Sequence, residues 1–163
     1  MGNVTETHEL KDTFTVDVEL PGHAPRTTTP LFTESKKILV ERVDGRCFIC
    51  NGNKDEVGPT EAHHYPVERS LAMAWDWPKF IADCKAGKWG VYAQAFHWEG
   101  FDAEKDPYLF VDDMRANGLL LCKRHHTAKN EGIHDIPHPL WIWQKYATEG
   151  YVMSAVEIIH DFV

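Results

Sequence analysis

Two short donor pairs, Cys47-x-x-Cys50 and Cys122-x-x-His125, constrain this chain more than any other feature. Together they supply four donors, the number that closes a tetrahedral zinc site. A knuckle can aim Cys47 and Cys50 at one ion, and the start of a helix can deliver Cys122 and His125. The fold therefore has to bring the segment near position 50 against the segment near position 122. Four cysteines in 163 residues are few for a disulfide-stapled scaffold. The polar opening MGNVTETHELKDTFT has none of the apolar run of a secretory signal. A metal site in a reducing, cytoplasmic compartment is the expectation.

Histidine usage points the same way. There are ten histidines, including the adjacent pairs His63-His64 and His125-His126. Neighbouring side chains on a strand face opposite ways, so only one of His63 and His64 can face a given ion squarely. On a helix His126 is turned about 100° from His125 and points elsewhere. A strand and a helix could thus build a second, open, imidazole-lined metal site beside the zinc. Charge limits the partners: 25 acids against 17 bases give a net charge of -8, unlike a protein that coats nucleic acid through bulk charge. Any nucleic-acid contact has to be local or helped by bound metal. No run approaches the 18 apolar residues or so of a membrane span.

The punctuation of the chain predicts an α+β domain. Residues 1–32 read as an arm, with a short strand over Thr13 to Leu20 and an extended connector from Pro21 to Pro30. Residues 33–163 read as one domain. Thr33 or Ser35 is expected to cap a helix to about Val43, with Gly45 just past its end. A strand is expected over Glu61 to Val67, ended by Pro66. Two helical pieces should follow, Glu68 to Trp75 and a second capped by Asp76 and ended by Gly87. Residues 91–111 are rich in aromatics without an assignable period. Asn117 to Cys122 reads as a turn and buried strand, and Lys123 to Lys129 as the start of a helix that Gly132 ends. A last helix is expected over Leu140 to Ala147, and a strand or short helix from Ser154.

As a set, Cys47-x-x-Cys50, Glu61-x-His63-His64 and Asn117-x-x-x-x-Cys122-x-x-His125-His126-x-x-Lys129 resemble the HNH endonucleases, the ββα-metal nucleases with an accessory zinc knuckle. The resemblance is closer to small phage-encoded members that continue with Gly-Ile-His, here Gly132-Ile133-His134, and a tryptophan-bearing helix, here Trp141 to Tyr146. It covers roughly residues 36–67 and 106–150, which makes 68–112 an insertion between the two parts of the core. The fold it implies is a zinc-stabilised ββα-metal core with a helical insertion and flanking helices.

The resemblance also implies roles. His63 would bind a catalytic divalent cation and His64 would be the general base, although the tight spacing to Tyr65-Pro66 leaves room for the two to exchange roles. Asn117 would hydrogen-bond across the loop to hold the base. His126 would be a metal ligand, and His134 would complete the metal shell or contact the scissile phosphate. Cys47, Cys50, Cys122 and His125 would hold structural zinc. Magnesium, manganese, nickel or zinc could serve as the catalytic ion, imidazole suiting magnesium least. Histidine suits the base because its unperturbed pKa is about 6.5. Lys123, Arg124 and Lys129, with Lys36, Lys37, Arg42 and Arg46 as a second patch, are the candidates for phosphate contact.

The implied activity is metal-dependent hydrolysis of DNA phosphodiesters, by nicking or double-strand cleavage, in the cytoplasm of a bacterial host. Phage packaging or recombination proteins are possible partners. The competing functions are a non-catalytic zinc-stabilised scaffold for DNA or protein, and a metalloenzyme acting on a nucleotide or small phosphodiester. Asp112 and Asp113 are expected in a solvated turn. Cys84 is expected to be a buried small hydrophobe, and most tryptophans are expected in the core.

Overall fold

The computed structural model of the chain describes residues 27–136 together with His138 and Trp141. The expected strand at 13–20 and closing element from 154 lie outside the described residues, as does all of the expected 140–147 helix except Trp141. What is described is an α+β arrangement: six short α-helices, two 3-10 turns and one two-stranded sheet.

Helix α1 spans Pro30–Arg42. It begins before the expected caps because Thr29 takes that role, its hydroxyl accepting Phe32 N–H at 3.1 Å, with Pro30 preset for the first turn. Ser35 is instead buried inside the helix. Its hydroxyl lies 3.1 Å from Asp112 O and accepts Met114 N–H at 2.9 Å, which ties the 112–114 segment to α1. The helix is closed by Gly45 at φ 63°, whose N–H reaches Val40 O at 2.8 Å.

The Cys47–Cys50 knuckle follows. Asn51 N–H returns to Cys47 O at 2.8 Å, and Phe48 N–H donates to Leu120 O at 2.8 Å. A single turn, α2 (Lys54–Val57), carries a capping box between Asn53 and Glu56 and leads into β1 (Thr60–His64). Strand β2 (Gly118–Cys122) pairs with β1 antiparallel, placing Thr60 opposite Cys122 and His64 opposite Gly118. Alternation along β2 sends Leu120 to a cluster with Leu39 and Met114, and Leu121 to a cluster with Cys47, Ile49 and Trp141. Helix α6 (Lys123–Thr127) starts directly from β2. It stops at Thr127, short of the expected Gly132, and turns follow.

The segment between the strands has a core of its own. A 3-10 turn (Arg69–Ala74) precedes α3 (Trp77–Lys85), which Asp76 caps through Lys79 N–H at 3.1 Å, as its sequence predicts. Then come α4 (Gly90–Gln94), a second 3-10 turn (Trp98–Gly100) and α5 (Tyr108–Val111). Trp77, Phe80, Cys84, Trp98 and Phe110 are buried together. Edge-on and stacked pairs at 5.0 to 6.4 Å between ring centroids link the aromatic members. The unassignable aromatics of 91–111 therefore fill a core built from short turns. Helices of four or five residues leave no period to read.

Candidate metal centres and active site

The two-stranded sheet and α6 gather two groups of donors. In the first, one ligand atom each from Cys47, Cys50, Cys122 and His125 lies within 4.8 Å of every other. Cys122 Sγ is 3.2 Å and Cys47 Sγ 3.6 Å from His125 Nδ1, and Cys50 Sγ is 4.0 Å from Cys122 Sγ. A tetrahedron with three metal–sulfur bonds of about 2.3 Å and one metal–nitrogen bond of about 2.0 Å has edges of about 3.5 to 3.8 Å, close to these separations, so the four donors fit one ion. The knuckle, the end of β2 and the first turn of α6 each contribute, as the spacing predicts.

The thiols are placed so that a cation among them would favour their ionised forms. Burial works against a charged Cys47, but hydrogen bonds from His125 and from the backbone of Cys122, Cys50 and Ile49 outweigh it and bring this thiol down to about 6. Burial and the neighbouring Cys47 charge push Cys122 up to about 12, and burial raises Cys50 as well. Three thiols this close cannot all ionise by themselves, and a divalent cation at their centre reverses that balance.

The second group is His63, His126 and His134. His126 Nε2 and His134 Nε2 are 3.3 Å apart, and the His63 ring lies 5.2 and 4.7 Å from the other two ring centroids. His63 is 4% exposed, His126 is half-buried and His134 is exposed, so the group opens to one side. Two carboxylates brace it. His126 Nδ1 donates to Glu61 Oε2 at 2.6 Å, and His63 Nε2 to Glu68 Oε1 at 3.0 Å. Burial pushes the Glu68 carboxyl up, but the His63 bond and the nearby imidazole charges hold it below its usual range. Carboxylates of this kind set ring orientation and raise ligand basicity at metal sites.

His64 faces elsewhere, as strand alternation requires. Its Nε2 is 3.2 Å from Asp112 Oδ1, and its ring lies 5.5 Å from that of Phe32. His63, His64, His126 and His134 nonetheless line one cavity of about 560 Å³, with Glu68 and Arg69 also in its wall. Asn117 is fully buried behind it. Its side chain accepts Val67 N–H at 2.9 Å and donates to Val67 O and Val111 O, stitching the loop after β1 to the end of α5. It therefore acts across the loop and touches neither histidine of β1.

One expectation needs correction. Asp112 and Asp113 are each 2% exposed, not solvated. Asp112 receives His64, Arg69 at 3.2 Å and the Thr29 hydroxyl at 3.1 Å, while Asp113 holds Arg115 at 2.6 Å. Burial raises the Asp112 carboxyl, and the bonds from His64, Arg69 and Thr29 outweigh it and hold it below its usual range. Arg124 forks onto buried Glu131 at 3.0 and 2.6 Å and stays exposed on the surface beside Lys123 and Lys129.

The Arg124–Glu131 fork helps hold the turn that carries His134, and Gly132 packs that turn against α6. Ile133 N–H and Trp141 Nε1–H both donate to His125 O, at 3.0 and 2.9 Å. A Cβ on Gly132 would stand 2.7 Å from His126 O and 2.9 Å from Thr127 N, both backbone atoms that cannot step aside. Gly132→Ala is therefore expected to push His134 away from His126. The second group should lose about 10- to 100-fold in affinity for a divalent ion, while the first group stays loaded. Isothermal titration with manganese checks this, and unchanged affinity would mean that the close approach is irrelevant.

Glu61 and Glu68 carry the centre without having been assigned roles from sequence. Glu61 was legible in principle, because residues two apart on a strand share a face and Glu61 therefore lies on the His63 side. Glu68 follows the turn after β1 and has no such local signal. Among the described residues no helix is long and apolar enough to cross a membrane. No family model, curated protein or solved structure matches the chain.

Proposed function

We propose that this protein is a metal-dependent endonuclease of the HNH type that hydrolyses DNA phosphodiester bonds. In this reading Cys47, Cys50, Cys122 and His125 hold structural zinc, and His63, His126 and His134 hold a catalytic divalent cation. The observation that carries the reading is one cavity in which an imidazole group fit for a metal stands beside a separate, carboxylate-bound histidine, both built on a two-stranded antiparallel sheet and the helix that follows its second strand. A scaffold needs only the zinc quartet and has no use for the rest.

When bound, the divalent cation supplies positive charge for the phosphate and leaving oxygen as negative charge develops there. The chain's own residues do the remainder. His64 takes the proton from the attacking water, and Asn117 keeps the loop after β1 in register behind it. Glu61 and Glu68 hold His126 and His63 in orientation. Lys123, Arg124 and Lys129 meet the DNA backbone beside the cavity, a local contact that suits a chain of net charge -8. Action in a bacterial cytoplasm on behalf of a phage, with packaging or recombination proteins as partners, follows from the same resemblance.

The test is plasmid nicking by protein depleted of loosely held metal and then given magnesium, manganese, nickel or zinc, with His64→Ala alongside. Nicking should return with at least one ion, and His64→Ala should lower its rate by about 10²- to 10⁴-fold without releasing the structural zinc. A folded, zinc-loaded wild type that is inert with every ion would favour the scaffold.

A further inference from the structure

Asp112 is a buried carboxylate whose position apolar packing does not explain. It comes from the short α5 segment, far in sequence from β1, yet its carboxylate is fully partnered. Oδ1 accepts from His64 Nε2 and Arg69 Nε, both at 3.2 Å, and Oδ2 accepts the Thr29 hydroxyl at 3.1 Å. Its backbone is fixed as well. Asp112 N–H donates to Tyr108 O at 2.9 Å, and the Ser35 hydroxyl reaches Asp112 O at 3.1 Å. A carboxylate 2% exposed and held on both oxygens cannot swing to follow a moving partner. The partner has to fit it.

An ionised carboxylate only accepts hydrogen bonds, so the ring nitrogen that meets it must carry hydrogen. For His64 that nitrogen is Nε2, and in the neutral ring the lone pair then sits on Nδ1. Phe32, tilted against the ring at 5.5 Å, packs on one side of it. We propose that Asp112 is a positioning residue for His64: it locks the Nε2–H tautomer and presents Nδ1 as the atom that accepts the proton of the attacking water. The proposal rests on His64 being the base. Arg69 shares Oδ1, keeping the carboxylate compensated while its side chain forms part of the cavity wall.

The first measurement needs no variant. Long-range ¹H–¹⁵N correlation on histidine-labelled protein, with His64 assigned by its loss in His64→Ala, should show the neutral ring protonated on Nε2. A ring protonated on Nδ1 overturns the proposal. The second is Asp112→Asn in the nicking assay at saturating metal. The expected result is a fall in kcat of about 10²-fold or more, with KM for plasmid within about twofold of wild type and both metal stoichiometries unchanged. A purely structural role would not lower kcat in a variant that keeps its metals and its KM. Wild-type kcat in Asp112→Asn alongside an inactive His64→Ala overturns the role of Asp112 alone. Full activity in His64→Ala overturns the base assignment beneath it, and the tautomer of the wild-type ring still reports separately whether Asp112 orients His64.

Discussion

Replacing Cys122 by serine should empty the proposed zinc site and loosen most of the order around the two-stranded sheet, a large stability loss for one substitution. The reason lies in how little else holds this region. A two-stranded sheet is marginal in water, and α6, with five residues, is far below the length at which a helix persists alone. The cluster of Cys47, Ile49, Leu121, Cys122 and Trp141 is small and contains two of the ligands itself. Binding free energy for a structural zinc is on the order of 10 kcal/mol and counts as folding free energy where no site exists in the unfolded chain. Thermal unfolding followed by circular dichroism, with zinc counted by elemental analysis, should show one zinc per wild-type chain and none in Cys122→Ser. The melting temperature should drop by about 10 °C or more. The aromatic core around Trp77, Phe80 and Phe110 does not touch the quartet and should keep part of its signal. Equal melting curves for the two proteins, or a zinc-free wild type, would remove the zinc from the account of the fold.

What could be read in the sequence divides along a physical line. Donor pairs are local: C-x-x-C and C-x-x-H work at fixed short spacing, so Cys47, Cys50, Cys122 and His125 were identifiable before any fold was known, and the four do converge. The caps at Asp76 and Gly45 are local in the same sense: α3 begins and α1 ends where those residues say. Strand alternation separated His63 from His64 and made it certain that one would face away; it could not say toward what. The answer, Asp112, depends on α5 folding back over the sheet, and that depends on the aromatic core of the insertion, whose short turns leave no periodicity. The same blindness produced the solvated reading of Asp112 and Asp113. Aspartates before an Asn-Gly look like a surface turn until Ser35 and Thr29 of α1 are laid against them.

Adjacent histidines on α6 allow the two centres to be separated by one residue. His125 turns inward to the thiols at 4% exposure, and His126 turns about 100° away to Glu61 and His134. His126→Ala should therefore leave the Cys47, Cys50, Cys122 and His125 group intact and shift stability by about 1 kcal/mol or less, since its side chain bonds to Glu61 and His134 and belongs to no apolar cluster. The effect should fall on the open group. With two imidazoles left, one of them exposed, the proposed nuclease should lose about 100-fold or more in affinity for manganese and about 10³-fold in nicking at metal concentrations that saturate the wild type. His125→Ala, one position earlier, should do the reverse. It should release the zinc and lower the melting temperature, with activity lost only because α6 no longer presents His126. Manganese titration, zinc analysis and melting of the two variants side by side decide the matter. If His126→Ala melts as early as His125→Ala, the imidazole group is part of the structural centre. If it binds manganese as the wild type does, His126 is not a ligand, and the catalytic cation has to be sought around His63, Glu68 and His134.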